Sequence, residues 1–157
     1  MLTIHTGTAT GRDVIGVAVE RDRIVAVASG DADVTALRAA YPGARVREWP
    51  GELRAGLRWE GDLPAAPSPR ERVHALLLRG VTALAAGALD DDPALGPAAA
   101  RVGLPFGSPA PLAVGARADF AVFPLSSADS ADSAESVDPD GVCLATVLGG
   151  RLVHRRA

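Results

Sequence analysis

Residues 111–125 read PLAVGARADFAVFPL, and residues 145–155 read ATVLGGRLVHR. In the first stretch Gly115 permits a turn and Asp119 is placed to cap or bond loop amides. Phe120, Val122 and Pro124 then alternate with Ala121 and Phe123, as along a strand. In the second, two apolar runs meet at Gly149-Gly150, and a two-residue Gly-Gly link between strand-like runs predicts a tight hairpin. The chain therefore ends in β-structure. Between the two stretches lies SSADSADSAESVDPD, residues 126–140, acidic, serine-rich and without large apolar side chains. Such a composition predicts a mobile surface loop.

The front of the chain has the same character. Leu2 to His5, Val14 to Glu20 and Ile24 to Ser29 are rich in β-branched residues and separated by polar turns at Thr10-Gly11 and Arg21-Asp22-Arg23, which predicts an antiparallel meander. Ile15, Val17 and Val19 form one apolar face of the second run, so this sheet is covered on at least one side. Asp33 to Tyr41 reads as a short helix with Asp33 as its cap and Pro42-Gly43 as its stop. Ala44 to Trp49 reads as a further strand, ended by Pro50-Gly51.

The period changes in the middle. Ser68-Pro69-Arg70-Glu71 combines a capping serine, a proline at the first helical position and a glutamate three residues after the serine. Val73, Leu76 and Leu77 supply the apolar stripe of this helix, and Gly80 stops it. Val81 to Ala86 is a continuous apolar run of strand length, as expected of a strand covered on both faces. Asp92-Pro93 opens a second, Ala-rich helix that runs to about Arg101 and closes at Gly103.

Composition narrows the function classes. With 157 residues the chain suits one domain, or one domain with an inserted subdomain, and its net charge of −3 comes with scattered arginines and few aromatic residues. Nucleic-acid binding is not expected. No apolar run approaches the roughly 18–20 residues of a membrane span, and the N-terminus lacks the basic and apolar regions of a secretory signal. A cytoplasmic protein is the expectation. Cys143 is the single cysteine, set among apolar residues, and reads as a buried small hydrophobe. The sequence contains no Lys, Asn or Gln, so a lysine Schiff base, a lysine general base and a carboxylated-lysine metal ligand are all ruled out.

Four stretches together carry a family resemblance: GVAVERDRIVAV (16–27), AAYPGARVREWPG (39–51), PLAVGARADFAVFPL and ATVLGGRLVHR. In combination they resemble the metal-dependent amidohydrolase superfamily, of the imidazolonepropionase and aminodeoxyfutalosine deaminase type, which acts on cyclic amidines. The resemblance implies an α+β fold in which residues 1–64 and 108–157 build one composite β-sandwich, with residues 65–107 as a short helix–strand–helix insert. In the family, a metal-bearing (β/α)8 barrel occupies the place of that insert.

The chemistry of the family begins where the chain enters the barrel, with His-x-His on the first barrel strand. Aligned on Ala55-Gly56-Leu57, the two positions fall at about Gly61 and Leu63, and neither side chain binds a metal. Two imidazoles on one strand face would hold a zinc or iron ion that acidifies a bound water; without them that water is not activated. Only about twenty residues separate the strand-like run from Gly107, whereas a full barrel takes about 250. Most of the barrel is missing, and no catalytic residue, metal ligand or cofactor is expected.

Other residues have simpler readings. His5 and His154, on the first and last strands, are conceivable neighbours, and His74, on the helix beside Val73, reads as a boundary residue rather than a base. Asp90-Asp91-Asp92 suits a helix N-terminus better than a magnesium site. Arg58, Trp59, Glu60 and Asp62 occupy the segment that leads to metal in the family and are the candidate ligand or partner contacts, with a large aromatic as anchor. The expected function is a non-catalytic interaction or accessory module. The alternatives are a residual hydrolase of non-peptide C–N bonds and a small-ligand binding protein. Removal of the barrel would bare apolar surface on the sandwich and on Val81 to Ala86, so a homodimer or another protein partner is expected to cover it.

Overall fold

The structure is a computed structural model in which residues 1–125 and 142–157 are described; the loop expected over 126–140 lies outside them. Its elements run β1 (Leu2–Thr8), β2 (Val14–Glu20), β3 (Arg23–Ser29), α1 (Asp31–Ala40), β4 (Arg45–Arg54), β5 (Leu57–Trp59), α2 (Pro69–Leu78), β6 (Val81–Leu84), α3 (Ala88–Asp91), α4 (Leu95–Val102), β7 (Phe120–Phe123), β8 (Ala145–Leu148) and β9 (Arg151–Arg155). The fold is α+β. Both ends of the chain enter one seven-stranded mixed sheet of order β3-β2-β1-β4-β7-β8-β9, while β5 and β6 form a separate two-stranded parallel sheet. Among the described residues no helix is long and apolar enough to cross a membrane.

The meander forms as the alternation predicts, with β1–β2 and β2–β3 both antiparallel. Ile15, Val17 and Val19 join Leu53, Phe120, Val122, Ala145 and Val147 in one core on the inner face. On the other face Ile4, Ala18 and Ala28 pack against Val34 and Leu37 of α1. The sheet rolls because β3, at its edge, hydrogen-bonds to the segment that leads into β7. Ile24 N donates to Ala116 O at 3.0 Å, and Ala118 N to Asp22 O at 2.8 Å. The composite of N- and C-terminal strands thus encloses its own apolar interior.

Three local expectations fail. In the insert, the second expected helix starts at Leu95 with Ala94 as its N-cap, and Asp90 and Asp91 lie in the separate short helix α3. Pro50-Gly51 does not end a strand at Trp49, since β4 continues to Arg54. This strand pairs in parallel with β1 up to Glu48 and again, after a register shift, at Glu52, from which point it also pairs antiparallel with β7. Pro50, which has no N–H to offer a ladder, falls within that shift, just before the second neighbour joins. A Cβ at Gly51 would run into the Phe123 carbonyl, so the glycine permits the close approach of β7. The third failure concerns α1, which starts at Asp31 with Gly30 as its N-cap and no side-chain cap bond. Asp33 lies in the first turn, where its charge complements the helix dipole.

The insert starts as read. Ser68 Oγ accepts from Glu71 N at 3.2 Å and bonds Glu71 Oε2 at 2.8 Å, and Gly80 follows α2 with φ of 81°. Val73, Leu76 and Leu77 of α2 pack with Val81, Leu84, Leu95 and Ala99 and reach Leu148 of the main sheet. All four residues of β6 are buried, so the chain itself covers the strand expected to need a partner. Thr146 Oγ1 donates to Leu77 O at 2.7 Å and Cys143 N to Leu78 O at 2.8 Å, which fixes the end of α2 to the β8 strand and its approach.

Asp119 is the polar centre of the assembly. It is 1% exposed, accepts from Gly149 N at 2.7 Å and pairs with Arg117 Nη1 at 3.1 Å. Arg117 Nη2 donates in turn to Gly103 O, the C-cap of α4, at 2.6 Å. The pair therefore ties the β8–β9 turn to the end of the insert. Gly149 and Gly150 have φ of 54° and 75°, as a primed hairpin turn requires. Burial pushes the Asp119 carboxyl above its usual value, with Asp22 adding to the effect, while the Gly149 N–H and Arg117 oppose it. The folded chain thus binds this proton more tightly than the unfolded chain, and the ionised form costs stability as pH rises from about 4 through the raised value.

His5 lies in the same interior. Its Nδ1 accepts from Trp49 Nε1 at 3.2 Å, its ring is parallel to the indole with centroids 6.2 Å apart, and Phe120 meets it edge-on at 5.0 Å. Burial, and secondarily the charge of Arg47, lowers its pKa from 6.5 to about 4. A depressed histidine pKa leaves stability intact above pH 6.5 and removes it as pH falls toward 4, by roughly 3 kcal/mol in total.

Two outcomes are expected. Asp119→Ala strands the Gly149 N–H and the Arg117 guanidinium and should cost about 3 kcal/mol, or roughly 10 °C of melting temperature. Asp119→Asn keeps an acceptor for Gly149 but turns its amide NH2 toward the Arg117 guanidinium, so it should recover only part of that loss; thermal melts at pH 7 compare the two. In urea unfolding at pH 7 and pH 4.5, the wild type should lose more stability on acidification than His5→Phe does. Equal losses would show that His5 is not the group responsible.

Candidate functional site

Arg58, Trp59, Glu60 and Asp62 form a compact turn at the end of β5. Arg58 Nη1 lies 3.4 Å from Glu60 Oε1 on the surface. The Trp59 indole N–H donates to Asp62 O at 3.1 Å across Gly61, whose φ is 93°. The Arg79 guanidinium sits 5.3 Å from the Trp59 ring centroid, within cation–π range. Trp59 is half-buried against the insert core, as is Leu63, while Gly61 is exposed. The side chains of the turn thus bond mainly one another, and a ligand or partner would meet the Arg58–Glu60 pair and the open side of the indole.

The strand beneath this turn has an unusual setting. β5 pairs in parallel with β6, through Leu57 N to Gly80 O at 2.9 Å and Ala85 N to Trp59 O at 3.0 Å. Beyond β6 the Pro105–Gly107 segment continues the bonding, with Leu84 N to Pro105 O at 2.9 Å and Gly107 N to Leu84 O at 2.8 Å. On its other side β5 has no strand partner among the described residues. Parallel sheets are normally continued and covered, and here the edge is bare.

The groups that acid–base or nucleophilic chemistry would use are mostly occupied. His5 and His154 are not neighbours in the sheet, because β4, β7 and β8 lie between their strands. His154 Nε2 bonds the Cys143 carbonyl at 3.1 Å. The Cys143 thiol is buried and lies 3.2 Å from Thr146 Oγ1; burial pushes its pKa up, so the thiolate is disfavoured. Asp90 and Asp91 lie in α3, whereas Asp92 forms an ion pair with Arg72 and accepts from Ala94 N at 3.2 Å. Asp92 therefore fastens the approach to α4 onto α2. Among the described residues no group of three or more His, Cys, Asp or Glu side chains is placed to hold a metal ion.

His74 is the exception, on the exposed side of α2. It lines a groove of about 1100 Å³ bounded by α2, α4 and β9, together with Arg70, Arg101 and Arg151. The sequence reading missed this groove, because its arginines come from three elements far apart in the chain and share no local motif. The four candidate residues of the β5 turn are not among those that line it.

No protein-family model matches the sequence, and no curated protein matches it. Among solved structures, the chain is similar to guanine deaminase from Bradyrhizobium japonicum, with a TM-score of 0.47 and 14% sequence identity over 68% of this chain and 34% of that one. The chain thus spans about a third of that enzyme's length.

Proposed function

We propose that the protein is a non-catalytic interaction module, a barrel-less relative of the cyclic-amidine amidohydrolases, and that its contact edge is β5 with the Arg58–Asp62 turn. The bare edge of the two-stranded parallel sheet carries this reading. An edge strand offers main-chain donors and acceptors to an added strand. Beside it Trp59 supplies a half-buried aromatic anchor, and Arg58 and Glu60 supply charges of both signs. The partner of first choice is a second copy of the chain, since an isologous contact sets the Arg58 of each copy against the Glu60 of the other.

The non-catalytic part rests on the commitments of the polar groups. His5, His154, Cys143, Asp92 and Asp119 each hold a structural bond. Residual hydrolysis of C–N bonds would need a metal-activated water and ligands to hold the metal.

Each part has its own measurement. Light scattering at micromolar concentration should give the mass of a dimer, and Arg58→Pro, which removes a donor from the middle of the edge, should give a monomer with unchanged circular dichroism. A wild-type monomer would remove self-association. Metal analysis after dialysis should find zinc and iron well below one per chain, with no ammonia released from guanine or an imidazolone. Stoichiometric metal accompanied by ammonia release would overturn the non-catalytic reading.

A further inference from the structure

The groove between α2, α4 and β9 has a charge pattern that the strand edge does not explain. Arg70, Arg101 and Arg151 are exposed at its wall. No carboxylate of the described residues forms an ion pair with any of them, although six other arginines have such partners. The one carboxylate in the groove, Glu71, is turned back onto Ser68 in the capping box of α2. Among the described residues, then, these three guanidinium groups have no carboxylate partner, and this on a chain whose net charge is −3.

Its floor is of the opposite character. Val73 and Leu77 close it from below, and Val102, Leu152 and Val153 are half-buried, so their apolar surface still meets water. Arginine clusters recognise carboxylate and phosphate by paired N–H donors, and His74 adds a further ring donor. A concave apolar floor with a few polar groups is the usual form of a small-ligand site. A purely inorganic anion would leave the floor wet, and a neutral apolar molecule would leave the guanidinium groups without partners.

We propose that this groove binds a soluble amphiphilic organic anion, a carboxylate or phosphate monoester on an acyl or aryl body, with the head group at Arg101 and Arg151 and the body along Val102 and Leu152. The concavity, bounded by two helices and a strand, favours a free molecule over the flat surface of a bilayer. The site goes beyond the strand-edge reading and involves none of its residues, so the mass measured by light scattering does not bear on it.

Isothermal titration of the full chain with octyl phosphate, below its micellar concentration and at low salt, is the test. Saturable binding of one molecule per chain is expected, at least tenfold tighter than inorganic phosphate. Arg101→Gln/Arg151→Gln, both on the surface, should weaken it at least tenfold with unchanged circular dichroism, and octyl glucoside should not bind. The proposal is overturned if octyl phosphate fails to saturate, if the double variant binds as well as wild type, or if inorganic phosphate binds equally well. Sedimentation with anionic phosphatidylglycerol vesicles, or binding of poly-glutamate, in the absence of octyl phosphate binding would instead assign the face to a membrane or an acidic protein.

Discussion

The pair of half-buried Arg117 and buried Asp119 is the constraint on which the rest of this molecule depends. One carboxylate oxygen accepts from the hairpin turn at Gly149, the other meets Arg117, and Arg117 reaches the terminal carbonyl of α4 at Gly103. The same short segment bonds β3 through Ala116 and Ala118, and Ala118 O accepts from Gly150 N at 3.0 Å. Three parts of the chain, the meander, the insert and the closing hairpin, are thus fastened within a few residues. A buried ion pair is a poor source of net stability but a strong source of geometric specification, because any other arrangement strands a charge. Here it sets which edge of the sheet curls toward which turn.

Much of the scaffold was legible because its signals are local. Alternation along 14–20 marks a strand with α1 on one face and the core on the other, and Ser68 with Glu71 marks the start of α2. Gly149-Gly150 marks a hairpin because only glycine takes positive φ at both positions without strain. Asp119 was legible as a residue that bonds loop amides, but its partner Arg117 and the reach to Gly103 were not, since nothing local says where the end of α4 will lie. Pro50 misled for a related reason. Proline normally ends a strand, but here it sits in an irregularity of the β1–β4 pairing just before β7 joins the other side, and that arrangement is a property of the whole sheet.

The polar side chains divide along the same line. His5 finds Trp49 and Phe120 through contacts that span long stretches of sequence, and His154 finds the Cys143 carbonyl at the entry to the same hairpin. These partners explain why residues that look reactive in a list of letters are structural in the folded chain. The turn at Arg58–Asp62 stands out in the sequence because of its place in the family resemblance and its tryptophan, whereas the groove does not, because each arginine on it looks ordinary alone. Spatial convergence of unremarkable residues is the signal that a linear reading loses.

The double pairing of β4, parallel to β1 at one end and antiparallel to β7 at the other, has a consequence for how the molecule is made. As the chain leaves the ribosome, the first four strands can assemble and α1 can cover them, but the second half of β4, which meets β1 at Glu52 opposite Thr8, lacks its other neighbour until β7 has been synthesised. The insert must therefore be looped out before the sheet can close, and that closure carries the entropic cost of a long loop and the slow kinetics of non-local strand pairing. In the interval Leu53, which is 1% exposed in the finished fold, is bare. The core around Leu53 is thus completed only once the C-terminal strands are in place, so burial on this face of the sheet follows pairing across the insert.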